Sequence, residues 1–593
     1  MANRLKSSLR AAALTLLLAG SAVLPGGAGA QGLAGPYLAA ILADFRNDYV
    51  AAAEHYARAL ARDPGNVGLM QNTLVSRIAA ADFEGALALA ADLAAAAPDN
   101  EIAGLVLGAD ALGRGDYEAA AELLSAETLG LNPLLDGLVS GWIAVGREDF
   151  EAAQARFDAL DDNELIGAYG RYHKALALAL AGDFVSAEAL FAGIGDPLPL
   201  EREAIIAHAE VLAQLGREEE AIAQLDAILD TGFPDLVLLD LRRRLASGDE
   251  VPFSVIRRPS DGAAEAFLTF ATALNTEESD RFSLIYARLA GLIRPGLSRA
   301  SLLAAEILER HGQYDLAIEA LADVPEDSVW FVTAELRRAA TQRAAGDPDA
   351  GIATLRALAE RHPGTIEVHS ALGDALRVAE HYEEAAAAYS RAIDLIGEPA
   401  PAHWPIFYAR AIAWERAGIW DRAETDFRRA LELEPEQPLV LNYLGYSLVE
   451  QRRNLDEALD MIERAVASEP DDGYIIDSLG WVLYRLGRYE EALPHLLRAV
   501  ELLPTDAVLN DHLGDVLWMV GREREARFQW SRALSFGPAE DLDMDRIRRK
   551  LEVGLDAVLA EEEDEATVGT APAETAGGDG AEEAGSRRSG RGG

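Results

Sequence analysis

The 593-residue chain is predicted to be all-α, a right-handed superhelical α-solenoid of about fourteen helix-turn-helix units, several of them degenerate. Three observations predict it. Pro435, Pro470, Pro504 and Pro538 recur at spacings of 35, 34 and 34 residues. The pairs Leu444-Gly445, Leu479-Gly480 and Leu513-Gly514 repeat with the same 35 and 34 spacing. Between each pair and its proline stand two small residues with a bulky one between them: Ala458, Ile462, Ala465, then Ala492, Leu496, Ala499, then Ala526, Trp530, Ala533.

Each residue type has a physical task. Two antiparallel helices that cross closely need Gly or Ala at the crossing, and large apolar side chains fill the space between neighbouring pairs. A residue with positive φ ends the first helix of each unit, which suits Gly115, Gly182, Gly216, Gly312, Gly346, Gly418, Gly487 and Gly521. An aromatic follows two residues later in Asp116-Tyr117, Asp183-Phe184, Gln313-Tyr314 and Arg488-Tyr489. Proline then closes the second helix. This pattern resembles the tetratricopeptide repeat (TPR) family, and it can be followed back to Pro64 and Pro98, which are 34 apart.

In order along the chain, residues 1–30 have the character of a signal peptide. Arg4, Lys6 and Arg10 precede the apolar run from Ala11 to Leu18, and Ala28-Gly29-Ala30 offers small residues for cleavage between Ala30 and Gln31. The expectation is a periplasmic chain with no transmembrane span and no lipid anchor. An N-terminal repeat array is expected over 31–234, and the segment 235–261, with Arg242-Arg243-Arg244 and Arg257-Arg258-Pro259, is expected to connect it to the next. A C-terminal array should cover 262–540, with a degenerate unit at 262–297 and one unit stretched by Gly397-Glu398-Pro399-Ala400-Pro401. Residues 541–559 are expected to form a capping helix, and the acidic, Gly-rich tail 560–593 to be disordered.

Composition excludes several functions. Ninety-nine acidic against fifty-three basic residues leave a charge of −46, unsuited to a nucleic-acid partner. Lys6, Lys174 and Lys550 are the only lysines, and none follows a glycine, so no Gly-Lys phosphate loop exists. The chain has no cysteine, hence no thiol nucleophile and no lipid-bearing residue. None of the ten histidines starts a His-Glu-x-x-His helix, and no Gly-x-Ser-x-Gly elbow occurs. No catalytic, metal or cofactor residue is therefore expected, and the chain is not read as an enzyme.

What remains is a groove for a protein or peptide partner. The first helices of the last three units place Asn442, Asp477 and Asp511 at their fifth positions. Tyr446, Trp481 and Asp515 stand at the ninth, and Tyr484 and Trp518 at the twelfth. This acidic and aromatic stripe suits an extended basic or apolar peptide. The aromatics can equally be packing residues between repeats.

The succession Asn442-Tyr443-Leu444-Gly445-Tyr446, Asp477-Ser478-Leu479-Gly480-Trp481 and His512-Leu513-Gly514-Asp515-Val516-Leu517-Trp518 is similar to the large envelope TPR proteins of Gram-negative bacteria. Within these it resembles the LbcA-type adaptors of carboxyl-terminal processing proteases. That resemblance implies binding of such a protease together with cell-wall hydrolases. The lipidated cysteine of that type has no counterpart here. Two other functions fit the same groove: a holdase for exported or outer-membrane proteins, and a glycan-binding module of a polysaccharide export system.

Overall fold

The computed structural model describes residues 32–569 except 126–128, 162, 164–165, 194–200, 230–234, 277–278 and 539–541. The expected signal peptide and the cleavage position at Ala30 and Gln31 lie outside the described residues, as does the tail beyond 569. Among the described residues all regular structure is helical, in antiparallel pairs that follow the repeat. The described residues fold as an α-solenoid in two compact units, divided between His381 and Tyr382.

Caps and crossings reproduce the repeat at atomic level. Asp48, Asp82, Asp116, Asp149 and Asp183 each cap a second helix, their carboxylates accepting the amide three residues on. Asn66 and Asn100 do the same for first helices. The eight glycines that end first helices all have positive φ, between 69° and 90°. Five units lack that glycine, and Asn47, Ala81, Glu148, Glu380 and Arg452 hold the left-handed turn instead. At the crossings a Cβ on Gly445 would lie 2.7 Å from Ile462, on Gly480 2.5 Å from Leu496, and on Gly514 2.4 Å from Trp530. Glycine and bulky residue are thus one fitted pair, repeated three times.

The N-terminal unit departs from the repeat in its centre. Residues 236–247 of the expected connection form a helix, Leu236–Ser247, and 249–258 have no regular structure. Residues 262–297 are not a weak repeat. Helices Pro259–Ala273 and Asp280–Ile293 form a hairpin that lies across the first helices of the preceding units. Pro259–Ala273 packs on Pro133–Gly146 and Gly167–Leu180, and Asp280–Ile293 on Glu101–Gly113 and Val67–Ala79. The unit boundary accordingly falls at His381 rather than within 235–261. Every residue from Ser260 to Ala271 is buried, the condition of a helix enclosed on all sides.

Close packing fixes the hairpin. A Cβ on Gly262 would sit 2.2 Å from the ring of Trp142, itself wholly buried. At the hairpin's start the Asp261 carboxylate accepts the amides of Arg257 and Arg258 at 3.1 and 3.0 Å. Farther along, Arg281 bonds Asp44 at 2.8 Å, and the Tyr49 hydroxyl meets His311 at 3.0 Å.

The C-terminal unit keeps a regular alternation from Tyr382–Ile396 to Glu523–Phe536. The expected cap at 541–559 is two helices, Met544–Val553 and Leu555–Gly569. Residues 560–569 of the expected disordered tail are therefore helical. Their acids have a reason to order: Glu562 pairs with Arg546 at 2.6 Å and Glu561 with Arg549 at 2.7 Å.

Candidate functional site

The inner face of the C-terminal unit is built by first helices Trp404–Arg416, Pro438–Glu450, Gly473–Arg485 and Ala507–Met519. Helical periodicity puts Leu439, Asn442 and Tyr446 on one face of the second, and Tyr474, Asp477, Trp481 and Tyr484 on one face of the third.

The structure divides the expected site residues into two sets. Asp511, Asp515 and Trp518 are engaged from within. Lys550, fully buried, places its ammonium 2.9 Å from both Asp511 oxygens and 2.6 Å from Asp515. The Trp530 indole donates to the same Asp515 oxygen at 2.9 Å. Burial and the adjacent Asp515 push the Asp511 carboxyl above its usual range, against the pull of Lys550. Trp518 donates to Asp556 at 3.1 Å and lies under the Arg527 guanidinium. With Arg546 also 3.5 Å from Asp515, the two acids face two cations of their own chain and offer no free charge to a basic peptide.

The second set stands nearer the middle of the unit. The Asp477 carboxylate holds His512 at 2.8 Å. Burial opposes protonation of that imidazole, but the Asp477, Asp511 and Asp515 charges outweigh it and raise its pKa. Trp481 stacks on His512 with centroids 4.0 Å apart and on Tyr484 at 4.8 Å, both nearly parallel. Its indole donates to Glu450 at 2.9 Å, and Arg485 joins the same carboxylate at 3.1 Å. Burial raises the Tyr484 phenol. Asn442 Oδ1 and Asp477 Oδ1 are buried acceptors that have no donor. Tyr446 is half-buried beside them.

Two groove residues were not anticipated. Leu439 is 51 % exposed and Tyr474 57 % exposed, each at the second position of its helix. Their signal is an apolar residue directly after a helix start, repeated in two successive units, where a polar one would cost nothing. Among the described residues no group of three or more His, Asp and Glu is arranged to hold a metal ion.

The same face of the N-terminal unit is closed by chemistry as well as by packing. Trp142 donates its indole proton to His173 Nδ1 at 2.8 Å, so Nε2 carries the ring proton and meets Thr269 of the hairpin at 3.0 Å. Burial lowers the His173 pKa to about 4, which keeps this ring neutral. Tyr172 donates to Glu265 at 3.2 Å, and Arg299 pairs with Glu265 and, at 3.6 Å, with Glu203.

Helix pairs with these caps and crossings define a repeat scaffold. Residues 336–403, 408–473 and 444–507 match the tetratricopeptide repeat family model. Tetratricopeptide repeats thus lie within residues 336–507, and the described residues form an α-solenoid of helix pairs. The chain is 29 % identical over 159 residues to the TPR repeat-containing protein PA4667 of Pseudomonas aeruginosa, covering 27 % of this chain and 26 % of that one. The match thus spans about a quarter of that relative's length. Among solved structures, a tetratricopeptide repeat protein from Parabacteroides merdae aligns at 17 % identity and TM-score 0.36, over 44 % of this chain and 98 % of that one. Yeast Tom70 aligns at 16 % and 0.34, over 73 % and 99 %. No helix among the described residues is long and apolar enough to cross a membrane.

Proposed function

We propose that the protein is an exported, non-enzymatic adaptor of the bacterial cell envelope, and that it holds its protein partner on the inner face of the C-terminal unit. The carrying observation is the difference between the two inner faces. Over residues 67–180 the N-terminal one is covered by the chain's own hairpin, whereas Leu439 and Tyr474 are exposed on the other, on the helices that carry the half-buried Tyr446 and Trp481. The contact set is Leu439, Asn442, Tyr446, Tyr474, Asp477, Trp481 and Tyr484, with Asp511, Asp515 and Trp518 bounding it.

The finer reading follows the resemblance: the partner is a carboxyl-terminal processing protease, with cell-wall hydrolases held beside it so that their effective concentration rises. A glycan ligand is less well served, because Trp481 already stacks on Tyr484 and His512. The test is affinity capture from envelope extract with the wild-type chain and with Leu439→Glu/Tyr474→Ala. Recovery of a processing protease with hydrolases by the wild type, lost in the variant, is expected. Recovery of many unrelated envelope proteins would instead favour a holdase, and no protein eluate would end the adaptor reading.

A further inference from the structure

Arg288 is a buried cation that the chain itself leaves unpaired. It stands on the hairpin helix Asp280–Ile293, only 8 % exposed, and its wholly enclosed Nε has no hydrogen-bond partner. Among the described residues its guanidinium joins no ion pair. Burial lowers its pKa to about 10 against the pull of the Asp323 and Glu319 charges, so the group is still charged at neutral pH. In a chain with 99 acids and 53 bases such a cation has every chance of a partner. Arg299, on the next helix, shows the usual outcome and is paired with Glu265 and Glu203.

Arg288 lines a cavity of about 360 Å³, the size of a small-molecule site. Phe83, Leu292 and Leu297 give it an apolar wall, and Ser301 and Asp323 supply its other polar side chains. Gly291 lines the same space, where an added Cβ would meet nothing within 4 Å. Glycine weakens a helix, and no neighbouring atom requires it here; its effect is to keep the cavity open.

We propose that this cavity binds a small monocarboxylic acid with an apolar body, its carboxylate on the Arg288 guanidinium. A carboxylate offers two coplanar acceptors to the fork of N–H donors, and its single charge matches the one uncompensated cation. The hydrocarbon part then rests on Phe83, Leu292 and Leu297. Asp323 on the same wall disfavours a second negative charge, which counts against phosphate and dicarboxylates. The site lies in the N-terminal unit and is independent of the partner face proposed above.

Isothermal titration calorimetry of the full chain with isocaproate, a branched aliphatic monocarboxylate, tests the proposal. Saturable binding with a dissociation constant of about 1 mM or tighter is expected. Isocaproamide, the neutral isostere, should not bind. Arg288→Met replaces the cation by an apolar chain and should weaken isocaproate binding at least about thirtyfold. Gly291→Phe keeps the cation and fills the void, and should abolish binding with far-ultraviolet circular dichroism unchanged. Leu439→Glu/Tyr474→Ala, in the other unit, should bind isocaproate as the wild type does. Absence of isocaproate binding would overturn the proposal, as would its retention in either Arg288→Met or Gly291→Phe. So would tighter binding of inorganic phosphate, or of an acetylated peptide ending in leucine, which would assign the cavity to a chain terminus.

Discussion

The two units use the same repeat and end in opposite conditions. In the N-terminal unit the inner face over residues 67–180 is covered by helices Pro259–Ala273 and Asp280–Ile293, and Tyr172 and His173 on it are satisfied by Glu265 and Thr269. In the C-terminal unit only the last repeat is closed, by Lys550 and the two final helices, and the middle stays accessible. A groove in a repeat protein is therefore an option rather than a property of the fold. Whether it receives a partner depends on whether the chain itself supplies something to fill it.

The sharpest way to break this comparison is at Lys550. Lys550→Ala leaves the buried Asp511 and Asp515 opposed only by Arg546, 3.5 Å from Asp515, and should cost about 3–5 kcal/mol. Calorimetry should show the loss in the transition of the C-terminal unit alone. Restoring neutrality with Asp511→Asn/Asp515→Asn in the same chain should recover most of it.

Acid should separate the units next. His173 has its folded pKa lowered to about 4 against about 6.5 unfolded, so the unfolded chain binds the extra proton. Stability of the N-terminal unit is full above pH 6.5 and falls by about 3 kcal/mol as pH drops to 4. His512 runs the other way: its folded pKa is raised, so its contribution is present in acid and is lost as pH climbs through that value. Denaturant melts at pH 7 and pH 5 should therefore show the N-terminal transition moving down. His173→Gln should flatten that slope.

A smaller effect is expected at the hairpin. Gly262→Ala places a methyl against the Trp142 ring and should destabilise by about 1–3 kcal/mol, with new proteolytic cleavage within 249–258. If the hairpin were only a docked ligand, the array would survive with its groove exposed, and near-ultraviolet circular dichroism of the remainder would be unchanged. The least effect on stability, within about 0.5 kcal/mol, should come from Leu439→Glu/Tyr474→Ala, whose changes belong to binding instead.

The repeat was legible wherever a residue type had one cause. The glycines at first-helix ends and at crossings, and the prolines closing second helices, each answer to a local constraint that sequence records. Ala81, Glu148 and Arg452 take the same backbone turn with no such signature, because the surrounding packing enforces it. The hairpin was misread for a related reason. The polar stripe Asp261, Glu265 and Thr269 gives this helix an ordinary amphipathic look, but those side chains are buried against Arg257, Arg258, Tyr172 and His173 of the same chain, which sequence does not record. At the site, spacing alone brought Asp477, Trp481 and Tyr484 together. Asp511 and Asp515 appeared available because their lysine lies 39 and 35 residues further on, outside any repeat.

The hairpin also changes how the first unit comes into being. An ordinary solenoid grows by neighbours, each helix pair settling on the one before. Here Tyr172 must wait for Glu265, 93 residues later, and Tyr49 for His311, 262 residues later. The high separation of these contacts should slow folding, because the repeats between 67 and 180 are not complete until the hairpin has arrived. Repeats cannot be trimmed from that unit one at a time, because what holds them together is threaded through their centre.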